Sequence, residues 1–77
     1  MLDKRLLDAL SRVFNIDPAA ITPDTSQENT PTWDSIAQLN LVFEIEDTFG
    51  VRLSSEEIPQ ATSVACLQEI LGRHQVL

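Results

Sequence analysis

Apolar residues recur at helical spacing from the start of the chain. Leu2, Leu6, Leu10, Val13 and Phe14 fall at i, i+4, i+8, i+11 and i+12, which predicts an amphipathic helix over 2–14. Asp3 in its first turn and Arg12 in its last suit the helix dipole. Asn15 reads as its cap, and Asp17-Pro18 forbids continuation. The periodicity then lapses from Asn15 to Asp34, where Pro18, Pro23 and Pro31 stand among Asp, Thr, Ser and Asn. This is a long first loop, read as a solvated crossover between two helices running the same way, with Ile16 and Ile21 pinning it to the core. Thr25 and Glu28 have capping-box spacing, which allows a short helical turn there.

Periodicity returns at Ser35 and runs to Phe49, with Gly50 placed to stop the helix. Val51-Arg52-Leu53 makes an extended connector. Ser54 and Glu57 form a capping box that opens a short helix from Ser55 to about Gln60, and Pro59 confines it to one irregular turn. Thr62 or Ser63 caps a last helix, with Val64, Leu67, Ile70 and Leu71 as its stripe and Gly72 as its end. No alternation long enough to build a sheet occurs. The order predicts one all-α domain over 1–77, a small antiparallel helical bundle with three main helices, one short helix and a long first loop.

The helix over 35–49 has more apolar surface than a bundle needs. At ~100° per residue, Leu41, Val42, Ile45 and Phe49 share one side and form a core stripe. Ile36, Leu39 and Phe43 lie opposite, with Asn40, Glu46 and Asp47 around them. Two readings are open. The long loop or the short helix covers the second stripe, or it is an exposed apolar patch rimmed by acids, which marks a partner site.

Composition narrows the function classes. The 77 residues are 43% hydrophobic, enough for one small core, and carry a formal net charge of −7. That charge repels nucleic acid and anionic lipid and favours partners with basic surfaces. The absence of Tyr and the scarcity of other aromatics argue against stacking on bases. Cys66 stands alone, so an internal disulfide is impossible and a reducing, cytoplasmic setting fits; the residue itself reads as small and buried in the last helix. No apolar run reaches the ~18 residues of a membrane span. The basic pair near the N-terminus is followed by acid and helical spacing, so no signal peptide is read. The acids show no EF-hand spacing. Trp33 reads as a lid on one end of the bundle.

Ser35 is the candidate reactive residue. Ser35 and Gln38 have capping-box spacing, so an inert helix cap is the plain reading. The other reading starts from position. A helix N-terminus offers free N–H groups and partial positive charge, which stabilise a phosphate attached there. No His lies nearby in sequence, since His74 is in the tail, so a self-contained Ser-His-Asp apparatus is absent. Ser35 therefore reads as a modification site, not a catalyst, and the chain as no enzyme.

The run Asp34-Ser35-Ile36, Leu39, Leu41-Val42, Ile45-Glu46-Asp47 and Phe49-Gly50-Val51 resembles the second-helix signature of acyl carrier proteins. The 21–26 stretch ITPDTS is similar to the family's first loop, Glu56-Glu57 to its acidic third helix and Thr62-Ser63-Val64 to the start of its fourth. Pro31-Thr32-Trp33 stands where the family often has glycine, Ile36 where leucine is commonest, Pro59 where a helical residue is usual, and Asn40 where an acid is common. Trp33-Asp34-Ser35 looks more like stand-alone bacterial-type carriers serving specialised pathways than like the housekeeping fatty-acid carrier.

The resemblance implies that Ser35 is esterified with 4′-phosphopantetheine from coenzyme A, with Asp34 supporting attachment. It implies an arm that holds acyl groups as thioesters for fatty acid, polyketide or related biosynthesis. The implied partners are a phosphopantetheinyl transferase and acyl-transferring, condensing or ligase enzymes with basic docking surfaces. Ile36, Leu39, Phe43, Glu46, Asp47, Glu56 and Glu57 would meet them, on a monomer that neither binds nucleic acid nor inserts in membrane. A peptidyl or aminoacyl carrier with the same arm is the alternative. A small acidic interaction module with Ser35 only a helix cap is the reading from a different class.

Overall fold

The computed structural model describes residues 2–77 and contains three α-helices: α1 (Lys4–Phe14), α2 (Ser35–Phe49) and α3 (Val64–Arg73). Two 3-10 turns, Pro18–Ala20 and Ile58–Gln60, lie in the connections. Among the described residues there is no strand, only one antiparallel bridge between Ser26 and Ser63. The all-α architecture with a long first loop and a short irregular third element is the one the periodicity predicts.

The helix directions follow from a few contacts. Arg5, at the start of α1, lies over the ring of Phe49, at the end of α2, 4.7 Å from its centre. Phe14, at the end of α1, stacks on Trp33, just before α2, with ring centres 4.5 Å apart. Thus α1 and α2 are antiparallel. The Arg5 guanidinium also donates to the carbonyl of Val76, beyond α3, at 3.2 Å. Hence α3 also runs against α1 and parallel to α2. The first loop therefore joins antiparallel helices, contrary to the sequence expectation, and residues 50–63 make the crossover between helices running the same way. That segment must travel back along the length of α2, and leaves no room for a regular helix once Pro59 is in it.

The core is built from one face of each helix. Leu6, Leu10, Leu41, Ile45, Leu67 and Leu71 are fully buried, and Phe14, Trp33 and Phe49 close its two ends. Ile21, Leu53 and Ala61 bring the connections onto it, with Ile16 half-buried at its margin.

Local chemistry sets the boundaries. Asp3 is the cap of α1, accepting the Arg5 N–H at 2.8 Å, so the helix starts after it and not at Leu2. Its carboxyl is held below the usual range, chiefly by the Arg5 side chain. Asn15 ends α1 in the left-handed conformation, φ 55°. Thr25 and Glu28 do not start a helix; the Thr25 hydroxyl accepts the Thr22 N–H at 3.0 Å, and the short turn lies earlier, at Pro18–Ala20, capped by Asp17. Gly72 does not end α3, which continues to Arg73. Gln75 takes the left-handed position instead, at φ 63°, with Gln75 N–H to Gly72 at 3.0 Å and Val76 N–H to Leu71 at 3.2 Å. This is a Schellman ending. Cys66 is half-buried, less enclosed than expected, because it lies on the margin of the α3 stripe.

Candidate functional site

Ser35 is the first residue of α2, and Asp34, not Ser35, is the cap. The Asp34 carboxylate accepts the Ala37 N–H at 2.8 Å, and its carbonyl accepts the Gln38 N–H at 2.9 Å. Ser35–Gln38 is therefore not a capping box. Gln38 points elsewhere, accepting the Trp33 indole N–H at 2.6 Å. The Ser35 side chain is exposed, and among the described residues its hydroxyl and the N–H groups of Ser35 and Ile36 have no hydrogen-bond partner. An open helix N-terminus of this kind carries about half a positive elementary charge.

The start of α3 is a useful contrast. Its Val64 N–H donates to Thr25 at 2.9 Å, its Ala65 N–H to Pro23 at 3.2 Å and its Cys66 N–H to the Ser63 hydroxyl at 3.1 Å. The first loop plugs that terminus, and the bond from Gln27 N–H to Thr62 at 3.1 Å secures it. The start of α2 is left open to solvent.

Ser35 has no catalytic company. His74 sits past the far end of α3, 2.9 Å from the Glu57 carboxylate. Among the described residues no group of His, Cys, Asp and Glu is arranged to hold a metal ion. A hydroxyl without a base is a poor nucleophile, so an enzyme would have to supply one.

The second apolar stripe of α2 is uncovered. Ile36 is 73% exposed, Leu39 58% and Phe43 67%. Neither the first loop nor the Ile58–Gln60 turn reaches over it. Between α1 and α2 the patch continues into an open groove lined by Arg12, Val13, Asn40, Phe43, Glu44 and Asp47. An ion pair between Arg12 on α1 and Glu44 on α2 ties its two sides together.

The four acids named with this face differ in their duties. Asp47 and Glu56 are exposed and have no hydrogen-bond partner among the described residues. Glu46 is half-buried and accepts the Leu53 N–H at 2.8 Å, holding the start of the crossover. Glu57 accepts the Ser54 N–H at 3.0 Å, while its own N–H donates to the Ser54 hydroxyl at 3.1 Å. The two bonds of the expected capping box are thus formed, but they close a turn over 55–57, and the helical element is only the 3-10 turn Ile58–Gln60, shorter than the expected helix from Ser55. The Ser54 N–H above all, then His74, holds the Glu57 carboxyl below the usual glutamate range.

Sequence reasoning missed Gln38. Its Nε2 donates to the carbonyls of Ile58 at 3.1 Å and Ala61 at 2.9 Å. No local pattern marks a residue whose carbonyl partners lie twenty and twenty-three positions away, and its capping spacing pointed to a different job.

The residues at the start of α2 fit a phosphodiester. The hydroxyl is free, two N–H groups are unpaired, and the neighbouring carboxylate is engaged with Ala37. A family model described as "Phosphopantetheine attachment site" matches residues 4–71. The chain is 32% identical over 71 residues to an acyl carrier protein of Lactobacillus johnsonii, covering 92% of this chain and 89% of that one. It is 27% identical over 62 residues to an acyl carrier protein of Rubrobacter xylanophilus, covering 80% and 76%. To the mitochondrial acyl carrier protein 2 of Arabidopsis thaliana it is 23% identical over 70 residues, spanning 91% of this chain and 56% of that one. These are carriers and not catalysts, and the chain belongs to the phosphopantetheine-bearing acyl carrier protein family.

Proposed function

We propose that Ser35 is the attachment point of 4′-phosphopantetheine and that α2 presents the loaded arm to enzymes of fatty acid, polyketide or related biosynthesis. The observation that carries this reading is the exposed, unpartnered Ser35 hydroxyl at an open helix N-terminus. When bound, the group supplies a flexible arm ending in a thiol that carries acyl groups. Ser35 would supply the hydroxyl oxygen that attacks the pyrophosphate of coenzyme A, with adenosine 3′,5′-bisphosphate leaving, and a phosphopantetheinyl transferase would supply the base that takes the hydroxyl proton and the Mg²⁺. The N–H groups of Ser35 and Ile36 would hold the phosphate at the positive end of the helix dipole. Asp34 contributes by capping, which frees Ser35 from that duty.

Ile36, Leu39 and Phe43 are the apolar anchors of the docking face, and Asp47 and Glu56 are its steering charges. Apolar anchors supply affinity, while rim charges set orientation and encounter rate. Glu46 and Glu57 act mainly by holding the crossover in place, since their carboxylates are already engaged. Tethering raises the effective concentration of a substrate at each partner in turn.

The test is incubation with coenzyme A, Mg²⁺ and a broad-specificity transferase, followed by intact mass. One phosphopantetheine adduct is expected, and none on Ser35→Ala. A folded protein that takes no adduct overturns the carrier reading; an adduct that survives Ser35→Ala moves the site.

A further inference from the structure

Gln38 joins the chain just before α2 to the crossover around residues 58–61. Its Oε1 accepts the Trp33 indole N–H at 2.6 Å, and its Nε2 donates to the carbonyls of Ile58 at 3.1 Å and Ala61 at 2.9 Å. The partners dictate the orientation of the amide, because an N–H requires the oxygen and two carbonyls require the NH₂. The two sides of this clamp are anchored unequally. Trp33 is only 4% exposed and stacks on Phe14. The Ile58–Gln60 turn has no buried residue: residues 54–60 are exposed or half-buried, with Ile58 resting on the margin of the core and the buried Leu53 and Ala61 fixing the segment only at its two ends. A segment with little apolar anchorage takes its position from its polar ties and opens at low cost. Gln38 provides two such ties at the end of that segment.

We propose that Gln38 is a coupling residue, which makes the Ile58–Gln60 turn and Trp33 change position together. Displacement of the turn is thereby transmitted to the chain immediately before Asp34 and Ser35. The other side-chain and loop ties on the crossover, Glu46 to Leu53, Glu57 to His74, Arg73 to Gln60 at 3.3 Å and the Gln27 N–H to Thr62 at 3.1 Å, reach α2's far end, α3 and the first loop and do not touch Trp33's indole N–H. The coupling is independent of what Ser35 carries, so it stands or falls apart from the carrier reading.

The test is a double-mutant cycle read by amide hydrogen exchange at Gln60, Ala61 and Thr62 on the full chain. Trp33→Phe retains a ring against Phe14 and removes the indole N–H. Gln38→Ala is expected to speed exchange at these amides about tenfold, as loss of two hydrogen bonds implies. Amides in the middle of α1 keep their native rates, and Trp33 emission shifts to the red. Trp33→Phe alone speeds exchange at the turn, and adds nothing in the Gln38→Ala background. Gln38→Glu keeps an oxygen for the indole but has no donor for the carbonyls; it is expected to free the turn, and it decides the question if Gln38→Ala does not fold. An equal effect of Trp33→Phe in both backgrounds would overturn the proposal. So would slow exchange at the turn in Gln38→Glu, or a uniform acceleration across all helices.

Discussion

Asp34 holds the Ala37 N–H at 2.8 Å, and that bond relieves its neighbour Ser35 of any part in capping α2. Removing it leaves a helix donor without a partner. Asp34→Ala should lower stability by about 1 kcal/mol, visible as a lower thermal midpoint. Asp34→Asn should retain most of the native value, because Asn caps comparably. An Asn variant as unstable as the Ala variant would show that the carboxylate matters for its charge and not as a cap.

The two apolar faces of α2 should respond oppositely to substitution. Phe43→Ser acts on a side chain that is 67% exposed, and its effect on urea unfolding should stay within about 0.5 kcal/mol. Ile45→Ala acts on a fully buried side chain and should cost roughly 2–5 kcal/mol. If the exposed face docks partners, Phe43→Ser should slow acyl transfer by about fivefold or more at low carrier concentration, a loss on the order of 1 kcal/mol. A large stability loss in Phe43→Ser would mean that the face is covered in solution.

Alanine at the two glycines should have effects of opposite sign. Gly50 sits at φ +65° with nothing within 4 Å of an added Cβ, so space is ample and the backbone is the obstacle. Gly50→Ala should destabilise by about 1 kcal/mol from left-handed strain. Gly72 lies inside α3, equally uncrowded and without that conformation. Gly72→Ala should stabilise by up to about 1 kcal/mol through helix propensity. Thermal melts of the two variants on either side of the native midpoint would check both.

Glu57 should make stability sensitive to acid. Its carboxyl is held below the ordinary range, first by the Ser54 N–H and then by His74. A group depressed in the folded state adds stability above its unfolded pKa and loses it as pH falls through the folded value. The deficit of Glu57→Gln relative to the native chain should therefore be full at neutral pH and shrink as pH drops below the ordinary glutamate range. Urea midpoints for both proteins measured from neutral pH down into that range are the check. A deficit that does not change with pH would mean that the loss comes from the fit of the Gln side chain and not from the carboxylate's charge.

Much of the fold is written locally. The stripes of α1 and α3, the span Ser35–Phe49, the stop at Gly50, the Ser54–Glu57 box and the break at Pro59 are all legible from spacing, because each depends on residues within a turn or two. The surplus apolar stripe of α2 is legible for the same reason, and so is Ser35 at the start of that helix. Errors arose where two neighbours compete for one duty. Asp34 and Ser35 are both good caps, and the extended backbone of Asp34, φ −101° and ψ −173°, gives it the role. At the end of α3, Gly72 and Gln75 compete likewise, and the packing of Leu71 and Val76 carries the helix past the glycine.

The sequence by itself determined which segments are helical, which side of each is apolar, and that a serine opens the helix with two such sides. Helix directions, the bare stripe of α2 and the free start beside Ser35 were decided only in three dimensions. Each depends on groups brought together from distant parts of the chain: Phe14 with Trp33, the loop carbonyls with α3, and Gln38 with Ile58 and Ala61. Periodicity reports how much apolar surface a helix has, but not which surface its neighbours cover. Here the first loop spends its carbonyls on α3, and the start of α2 stays open as a result.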